Sequence, residues 1–345
     1  MKIIADHFIP FLQGRLEPYA DISYIHPDHF SPAIVRDADA LLIRTRTRCG
    51  APLLEGSKVR LIATATIGMD QFDLPWCAAH GIETRNSPGC NAPGVAQYVW
   101  SSLLHLGIDP SQITIGIVGH GHVGSIVAEW GRHLGAKILL CDPPRADRGE
   151  QGYIPLRELM ERSDVITLHT PLTRDGAYPT FHLIGAEALS HVRQGAVLIN
   201  AARGPVIDSI QVAKSAQRAS MTLINDTWEG EPSALNPELF RLSRIATPHI
   251  AGYSLQGKQR ATRMIVESVA RCFGLPLADE PGKDGIRVWD LPRPYTPVAT
   301  ITAQEIKDSY NPLADTAMLR ADLPGFELMR DHYVYRSEPA SILRP

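Results

Sequence analysis

The chain has 345 residues, of which 44% are hydrophobic and 21% are charged, close to the average of folded globular domains. Its 34 Lys and Arg against 37 Asp and Glu give a net charge of −3, which disfavours binding to nucleic acid through bulk charge. The longest stretch without a formal charge, 86–108, is too polar to span a bilayer, and the N-terminus lacks the apolar core of a signal peptide. Five scattered cysteines without a CxxC pair are typical of reduced thiols. We therefore expect a cytoplasmic protein with no nucleic-acid or membrane partner.

Short β-rich runs alternate with helical or turn segments at the start of the chain. These runs are 3–5, 22–25, 40–43, 61–66 and 82–84. Such alternation predicts an α/β unit with a parallel sheet between helices. Over 91–106 the apolar residues recur at helical spacing, so a long helix is expected to start a second unit.

The second unit shows the same alternation more clearly. Its predicted strands are 115–119, 137–141, 165–169, 196–200, 223–226 and 245–247. Several are continuous apolar runs, as expected for strands covered on both faces. Both units are therefore predicted to be doubly wound, and a further helix is expected over 255–273.

A GxGxxG turn follows the first strand of the second unit and opens a helix at 123–134. The expected cofactor contacts of this region are Gly119, Gly121, His122, Val123, Gly124 and Asp142. Asp142 ends the next strand, and this context predicts a dinucleotide site. Asp142 would accept hydrogen bonds from the ribose and select NAD over NADP, whereas Arg145 and Arg148 could hold a 2′-phosphate instead. His120 and His122 lack further ligands, so no metal site is expected.

Three polar clusters follow three successive strands of the second unit. They contain Arg203, then Glu229 and Glu231, and then His249. Ligands of open α/β sheets bind at such strand ends. An Arg can grip a carboxylate, a His can exchange a proton with a hydroxyl, and a Glu can orient that His. Together the three clusters predict a catalytic site.

These clusters resemble those of the D-isomer-specific 2-hydroxyacid dehydrogenases, over about residues 1–275. The resemblance implies an NAD-dependent oxidoreductase whose catalytic residues are Arg203, Glu231 rather than Glu229, and His249. It also places Asp226 on the nicotinamide amide. The further cofactor contacts that it implies are Thr170, Ala201, Ala202, Arg203, Asp226 and Gly252.

Four segments are similar to one branch of this family, which acts on a phosphorylated four-carbon 2-hydroxy acid. They are 63–70, 87–92, 141–149 and 249–258. This similarity implies a small-molecule substrate that contacts Thr45, Thr66 and Tyr253. Arg44, Arg46 and Arg48 share one face if the strand at 41–43 continues through them, and Arg44 is the predicted phosphate anchor.

The resemblance also implies the domain order. A flavodoxin-like substrate-binding domain is expected over 1–92, completed by the returning helix at 255–275, and a Rossmann NAD-binding domain over 93–254. Residues 276–345 are predicted to form a linker, rich in Pro and Gly up to residue 297, and a dimerisation segment. This tail is too short to bury its own apolar residues, which are Ile301, Leu313, Leu319, Leu323 and Phe326. A partner surface would cover them, so we expect a homodimer.

Two alternatives stay open at this point. Another NAD-dependent D-2-hydroxyacid dehydrogenase, for example one acting on phosphoglycerate, would share every cofactor residue and differ only in the substrate-binding domain. A non-catalytic NAD-binding scaffold on the same fold would bind the dinucleotide without turnover, although the complete Arg, Glu and His set disfavours it.

Overall fold

The computed structural model describes residues 1–343. The chain forms two compact units. The first unit consists of residues 1–91 and 255–295, and the second consists of 92–254 and the tail from Thr296 onward.

Five strands and three short helices make up residues 1–91. They are β1 (Lys2–Asp6), β2 (Asp21–Ile25), α1 (Pro32–Val35), β3 (Ala40–Ile43), α2 (Ala51–Leu54), β4 (Leu61–Thr64), α3 (Leu74–Ala79) and β5 (Glu83–Arg85). The strands form one parallel sheet in the order β2-β1-β3-β4-β5. This order reverses between β1 and β3, as in a flavodoxin-like sheet.

Residues 92–254 hold six strands and seven helices. They are α4 (Ala92–His105), β6 (Thr114–Val118), α5 (His122–His133), β7 (Lys137–Cys141), α6 (Pro143–Asp147), α7 (Leu156–Arg162), β8 (Val165–Leu168), α8 (Ala186–Ser190), β9 (Val197–Asn200), α9 (Ser209–Arg218), β10 (Thr222–Asn225), α10 (Pro237–Leu242) and β11 (Ser243–Ala246). The strands form a parallel sheet in the order β11-β10-β9-β8-β6-β7, so the order reverses at β6. The predicted fold class, two doubly wound α/β units, is confirmed.

The remaining described residues add four helices and two very short strands. They are α11 (Leu255–Phe273), β12 (Leu277–Ala278), β13 (Ile286–Arg287), α12 (Ala303–Ser309), α13 (Pro312–Ala321) and α14 (Phe326–Asp331). Among residues 1–343, no helix has both the length and the apolar character that a bilayer span requires.

Side chains cover both faces of the first sheet. Ile3 and Ala5 pack together with apolar residues of α11, whereas Ile4 points to the opposite face and a separate core. Ile286 and Val288 belong to the same core as Ile3 and are fully buried. The expectation of a plain linker up to residue 297 is therefore wrong, because apolar side chains in this stretch complete the core of the first unit.

The tail packs on the second unit. Leu319 and Phe326 are 0% and 1% exposed and lie in its core, and Ile301 is also buried. Leu313 and Leu323 are half-buried. The argument that these five side chains need a partner surface is wrong, because the same chain covers most of their area. The homodimer itself stays a prediction.

Candidate active site

The glycine turn after β6 contains three glycines whose surroundings differ. Gly119 has a φ of +90°, and a Cβ on Gly124 would lie 2.0 Å from the Gly119 carbonyl oxygen. Both positions therefore exclude larger residues, and α5 packs directly on the turn. Gly121 is different, because nothing lies within 4 Å of a Cβ built on it. The turn thus offers open backbone at the N-terminus of α5, which fits an anionic pyrophosphate.

The other turn residues leave this face accessible. His122 is exposed at the start of α5 and Val123 is half-buried. Within residues 1–343, no group of three or more His, Cys, Asp or Glu side chains is arranged to hold a metal ion.

Asp142 joins the glycine turn to the end of β7. Its carboxylate accepts hydrogen bonds from the His120 N–H at 2.8 Å and from the Arg145 N–H at 3.2 Å. The two arginines that could favour NADP are paired with one acid, because Glu150 accepts hydrogen bonds from Arg145 at 2.7 Å and from Arg148 at 3.0 Å. This pairing weakens the case for a 2′-phosphate site and leaves Asp142 as the acidic group at the strand end.

Beyond β8 lie buried polar atoms that fit a dinucleotide. Among the described residues, Thr170 Oγ1 and His169 Nδ1 are buried and have no hydrogen-bond partner. Both residues contact the glycine turn, since a Cβ on Gly119 would meet the His169 carbonyl oxygen at 2.7 Å and Thr170 Cγ2 at 3.0 Å. Burial lowers the pKa of His169 to about 3, so its imidazole is neutral at physiological pH. An amide or hydroxyl of a bound cofactor could satisfy these atoms.

The loop after β9 carries Arg203. Asn200 accepts a hydrogen bond from the Ala202 N–H at 3.2 Å, and Arg203 Nη1 donates to the Ala202 carbonyl at 2.9 Å. Ala202 is buried, whereas Ala201 and Arg203 are half-buried. The sharp loop therefore presents the Arg203 side chain at the carboxyl end of the sheet.

Gly204 fixes this loop against the next one. A Cβ on Gly204 would lie 2.0 Å from the Trp228 carbonyl carbon and 2.3 Å from the Glu229 nitrogen. These neighbours are backbone atoms, which cannot move aside as a flexible side chain can. Only glycine therefore allows the Arg203 loop to approach the loop that carries Glu231.

Glu231 and His249 form a hydrogen-bonded pair. Glu231 Oε1 lies 2.5 Å from His249 Nδ1, and Glu231 Oε2 accepts the Trp228 N–H at 3.0 Å. Burial alone raises the pKa of the Glu231 carboxyl, but the neighbouring His249 and its hydrogen bond outweigh burial and lower that pKa below its usual range. Glu231 is therefore an ionised acceptor. The other predicted candidate, Glu229, pairs with His182 at 2.8 Å instead.

His249 adopts an unusual backbone conformation, with a φ of +56°. Such a left-handed conformation is strained for a residue with a side chain and persists where its surroundings enforce it. Asp226 supplies part of this enforcement. Its backbone carbonyl accepts the His249 N–H at 2.8 Å, and its carboxylate accepts the N–H groups of Ile250 at 2.8 Å and Ala251 at 2.9 Å.

Asp226 is only 1% exposed, and Thr247 Oγ1 donates a third hydrogen bond to its carboxylate at 2.7 Å. Burial raises the pKa of Asp226 above its usual value, although these hydrogen bonds oppose the shift. Asp226 thus shapes the His249 turn, a role that sequence reasoning missed. Its predicted contact with the nicotinamide amide stays a prediction, as does that of the half-buried Gly252.

In the first unit, β3 ends at Ile43, before the arginines. The premise that an extended strand gives Arg44, Arg46 and Arg48 a common face is therefore wrong. Arg44 Nε instead donates to the buried Asp6 carboxylate at 3.1 Å, while Gln71 donates to the Arg44 carbonyl. These bonds lie directly after the end of β3, and the bond to Asp6 fixes the direction of the Arg44 side chain.

The other predicted substrate contacts have different surroundings. Thr45 is exposed, and Thr66 Oγ1 lies 2.7 Å from Thr64 Oγ1. In the second unit, the Tyr253 ring packs edge-on against Tyr333 and Tyr335 of the tail, with centroid distances of 5.9 and 6.3 Å.

Sequence reasoning also missed a cation near the catalytic pair. Arg330 of α14 pairs with Glu327 at 2.6 Å, and its buried Nε has no hydrogen-bond partner within residues 1–343. Burial opposes the charge of Arg330, but Tyr253, Glu327 and Glu231 raise its pKa above the usual value. The tail therefore places positive charge near Glu231, which nothing in its sequence pattern could indicate.

Comparison with known proteins agrees with this geometry. The family model for the NAD-binding domain of D-isomer-specific 2-hydroxyacid dehydrogenases matches residues 92–251. The erythronate-4-phosphate dehydrogenases of Porphyromonas gingivalis and Bacteroides fragilis are 39% and 40% identical to this chain. Each alignment covers 98% of this chain, and 94% and 97% of the relative, respectively. The crystal structure of an Aquifex aeolicus D-lactate dehydrogenase with NAD and lactic acid superposes with a TM-score of 0.65 and 26% identity, covering 79% of this chain and 96% of that one.

Proposed function

Because this chain belongs to the D-isomer-specific 2-hydroxyacid dehydrogenase family, we propose that it oxidises 4-phospho-D-erythronate to (R)-3-hydroxy-2-oxo-4-phosphooxybutanoate. It is an NAD-dependent oxidoreductase that acts on a CH–OH group. The proposed reaction is a step in the biosynthesis of pyridoxal 5′-phosphate. The observation that carries the proposed chemistry is the 2.5 Å pair of Glu231 and His249 in the same unit as the dinucleotide turn, and the identity to erythronate-4-phosphate dehydrogenases over 98% of the chain supports the choice of substrate.

His249 is the proposed proton acceptor. The ionised Glu231 accepts a hydrogen bond from Nδ1 of His249, so Nδ1 carries the imidazole hydrogen and Nε2 presents its lone pair. The C2 hydroxyl of the substrate gives its proton to Nε2 while the C2–O bond becomes a carbonyl. A dinucleotide held by the turn at Gly121 and by Asp142 would supply the acceptor for the hydride that leaves C2. Glu231 then stabilises the imidazolium that this proton transfer creates.

Arg203 is the proposed partner of the substrate carboxylate. Its guanidinium can bind a carboxylate through two parallel hydrogen bonds, which fixes the orientation of C2. The same positive charge stabilises the oxygen at which negative charge develops. The close packing of Gly204 against Trp228 supports this role, because it fixes the loop of Arg203 relative to the loop of Glu231.

Three of the residues that would hold NAD lie at the carboxyl ends of β6 to β8, and other expected contacts, Ala201, Ala202, Arg203, Asp226 and Gly252, follow β9 to β11. Gly121 would receive the pyrophosphate, Asp142 the ribose hydroxyls, and Thr170 a polar group of the cofactor. The pairing of Arg145 and Arg148 with Glu150 supports a preference for NAD over NADP.

We keep Arg44, Thr45, Thr66 and Tyr253 as proposed substrate contacts, with Arg44 as the phosphate anchor. The support for this choice is the similarity to one branch of the family, because the bond from Arg44 to Asp6 orients the guanidinium but also offsets its charge. If Arg44 binds the phosphate, Arg44→Ala should raise KM for the phosphorylated acid about 10- to 150-fold, the loss of one charge-assisted hydrogen bond. KM for unphosphorylated erythronate should change little, and an equal loss with both acids would remove Arg44 from this role.

A substrate panel tests the proposed function. NADH formation is followed by absorbance with 4-phosphoerythronate, erythronate, 3-phosphoglycerate and lactate. We expect the highest kcat/KM with 4-phosphoerythronate. His249→Ala and Arg203→Ala should each lower kcat about 10²- to 10⁴-fold while NAD still binds by calorimetry. Preference for another acid would point to a different dehydrogenase, and NAD binding without any turnover would point to a scaffold.

We also propose a cytoplasmic homodimer. Three apolar side chains of the tail are exposed, with Met318 at 51%, Leu328 at 61% and Val334 at 87%, and a second copy could cover them. All five cysteines are reduced thiols rather than disulfides, which fits a reducing compartment. Light scattering tests the dimer, and a monomer at micromolar concentration would contradict it.

A further inference from the structure

The tail holds the backbone that follows His249 through one half-buried arginine, Arg336. All three guanidinium nitrogens of Arg336 donate to residues of the second unit. Nε donates to Gln97 Oε1 at 2.9 Å, Nη1 to the Ile250 carbonyl at 3.0 Å, and Nη2 to the Gly94 carbonyl at 3.1 Å and to the Ala251 carbonyl. The guanidinium also stacks on the Tyr310 ring, 4.0 Å from its centroid. Arg336 is thus bound on every side.

Two of these acceptors belong to residues that Asp226 already holds. The N–H groups of Ile250 and Ala251 donate to the Asp226 carboxylate, and the carbonyls of the same two residues accept from Arg336. A buried anion and a half-buried cation therefore hold this short segment from opposite polar sides, and the Tyr253 N–H also donates to the Ile250 carbonyl at 2.8 Å. His249, with its φ of +56°, directly precedes the segment.

Neighbouring contacts of the tail extend this arrangement. Ser254 forms a β-bridge with Arg336 and donates to Glu338 at 2.6 Å, and Glu338 is only 2% exposed. A Cβ on Gly94 would meet Ser254 Oγ at 3.0 Å, so α4 lies close to the same segment. The whole stretch 250–254 is thus packed against the tail.

Other charged and titratable groups close to Arg336 are also engaged. Tyr333 lies 3.4 Å from Arg336 Nη1 and donates to Asp315 at 3.0 Å, and Tyr310 donates to the same carboxylate at 2.7 Å. Arg336 is therefore part of a satisfied buried network, in which a lost member leaves other polar groups without partners.

We propose that Arg336 is a positioning residue for His249. By holding the carbonyls of Ile250 and Ala251, it keeps the turn in the left-handed conformation that directs the imidazole toward Glu231. The tail, expected from the sequence only to join subunits, then acts on the reaction within its own chain. The effect of Arg336 on catalysis rests on the proposed function, whereas its effect on the conformation of the His249 turn does not.

The test compares Arg336 with Arg263, a buried arginine that also binds loop carbonyls. Arg263 of α11 donates to the carbonyls of Val288 and Leu291 at 2.8 and 2.9 Å, but it lies in the first unit and takes no part in the proposed chemistry. Arg263→Ala should therefore destabilise the fold and leave kcat at its wild-type level.

Arg336→Lys keeps the charge but loses the planar fork that reaches several carbonyls. We expect kcat to fall about 10- to 100-fold, the scale that misplacement of a reacting group produces, with the Kd of NAD unchanged. Arg336→Ala should recover part of its kcat when millimolar methylguanidinium is added, which Arg263→Ala should not. Wild-type kcat in Arg336→Lys, or no recovery in a folded Arg336→Ala, would overturn the positioning role.

Amide hydrogen exchange supplies a readout that needs no turnover. The amides of Ile250 and Ala251 should be protected in the full-length wild-type protein and exchange faster in Arg336→Lys, but not in Arg263→Ala. Unchanged protection in Arg336→Lys would refute the inference even if kcat fell. Should the wild-type protein oxidise none of the acids, the proposed function would fail while this measurement still decided the role of Arg336.

Discussion

The buried carboxylate of Asp226 allows the sharpest test of how the His249 turn is held. Asp226→Asn preserves the shape of the side chain but replaces one oxygen with an NH₂ group. Asn Oδ1 can keep the hydrogen bonds from Thr247 and from the Ile250 N–H. Its Nδ2 then faces the Ala251 N–H, which donates to Asp226 at 2.9 Å in the wild-type protein. Two donors oppose each other at this position, and the buried Ala251 N–H loses its acceptor.

Three changes set the size of the effect. An unsatisfied buried donor costs about 1–3 kcal/mol, and replacing a charged acceptor by a neutral one weakens the two remaining bonds by about 1 kcal/mol each. The variant avoids the cost of burying a charge, which the raised pKa of Asp226 reveals and which offsets part of this loss. We therefore expect a net loss of about 1–3 kcal/mol in the free energy of unfolding. Since the turn positions His249, kcat should fall about 10- to 100-fold.

Urea unfolding followed by tryptophan fluorescence measures the first quantity, because Trp228 is 1% exposed next to the affected loop. Steady-state kinetics with 4-phosphoerythronate measures the second. Asp164→Asn is the control at the opposite ends of the strands, where Asp164 accepts the Thr114 N–H at 2.8 Å and pairs with Arg193. Its side chain is 36% exposed, so this variant should lose less stability than Asp226→Asn and should keep wild-type kcat. If Asp226→Asn kept wild-type kcat, or if Asp164→Asn lost as much, the carboxylate would not be what positions His249.

Three further predictions concern the cofactor site and its surroundings. Replacing both Asp142 and Glu150 by Ala should raise the ratio of kcat/KM for NADP to kcat/KM for NAD at least about tenfold. The Asp142 carboxylate would no longer repel a 2′-phosphate, and Arg145 and Arg148 would lose their partner Glu150. An unchanged ratio would contradict the role of Asp142. The pKa of His169 in the folded protein is about 3, below its ordinary 6.5, so only the unfolded chain binds this proton as the pH falls from 6.5 toward 3. The free energy of unfolding should therefore drop by about 1–2 kcal/mol between about pH 7 and pH 5. His169→Gln should remove this drop when stability is measured by urea unfolding at each pH. Gly204→Ala should lower the free energy of unfolding by about 1–3 kcal/mol, whereas Gly121→Ala, with open space around its Cβ, should unfold like the wild type but bind NAD more weakly in calorimetry; the reverse pattern would refute both assignments.

The fold was accessible from sequence because its strands are buried on both faces. Continuous apolar runs such as 40–43 and 197–200 appear as strands in the structure within one or two residues of their predicted bounds. The tail was not accessible in the same way. Its helices are short, and their apolar residues, Leu319 among them, pack on strands and helices far away in the sequence. A pattern within the tail therefore could not reveal what covers it.

The candidate site was likewise predictable only in part. Strand ends and the glycine turn indicated Arg203, His249 and a glutamate, and the family resemblance chose Glu231 over Glu229. The structure brings Glu231 and His249 together at 2.5 Å. The extended course assumed for Arg44 to Arg48 failed because β3 ends at Ile43, and Arg44 there binds Asp6, a side chain of another strand. Contacts of this kind join residues that are distant in the chain, and one sequence gives no sign of them.

The tail is a physical consequence of placing a histidine in a left-handed turn. The N–H groups that follow such a turn can donate to the end of a neighbouring strand, and Asp226 accepts them. The carbonyls of the same residues point the other way and need donors of their own. The Tyr253 N–H of the loop reaches the Ile250 carbonyl at 2.8 Å, but the Ala251 carbonyl is bound by a donor from outside the loop, Arg336 Nη2. A guanidinium suits several carbonyls at once, since it donates from all its nitrogens in one plane. Such a cation must come from elsewhere in the chain, and Arg336 of the tail supplies it.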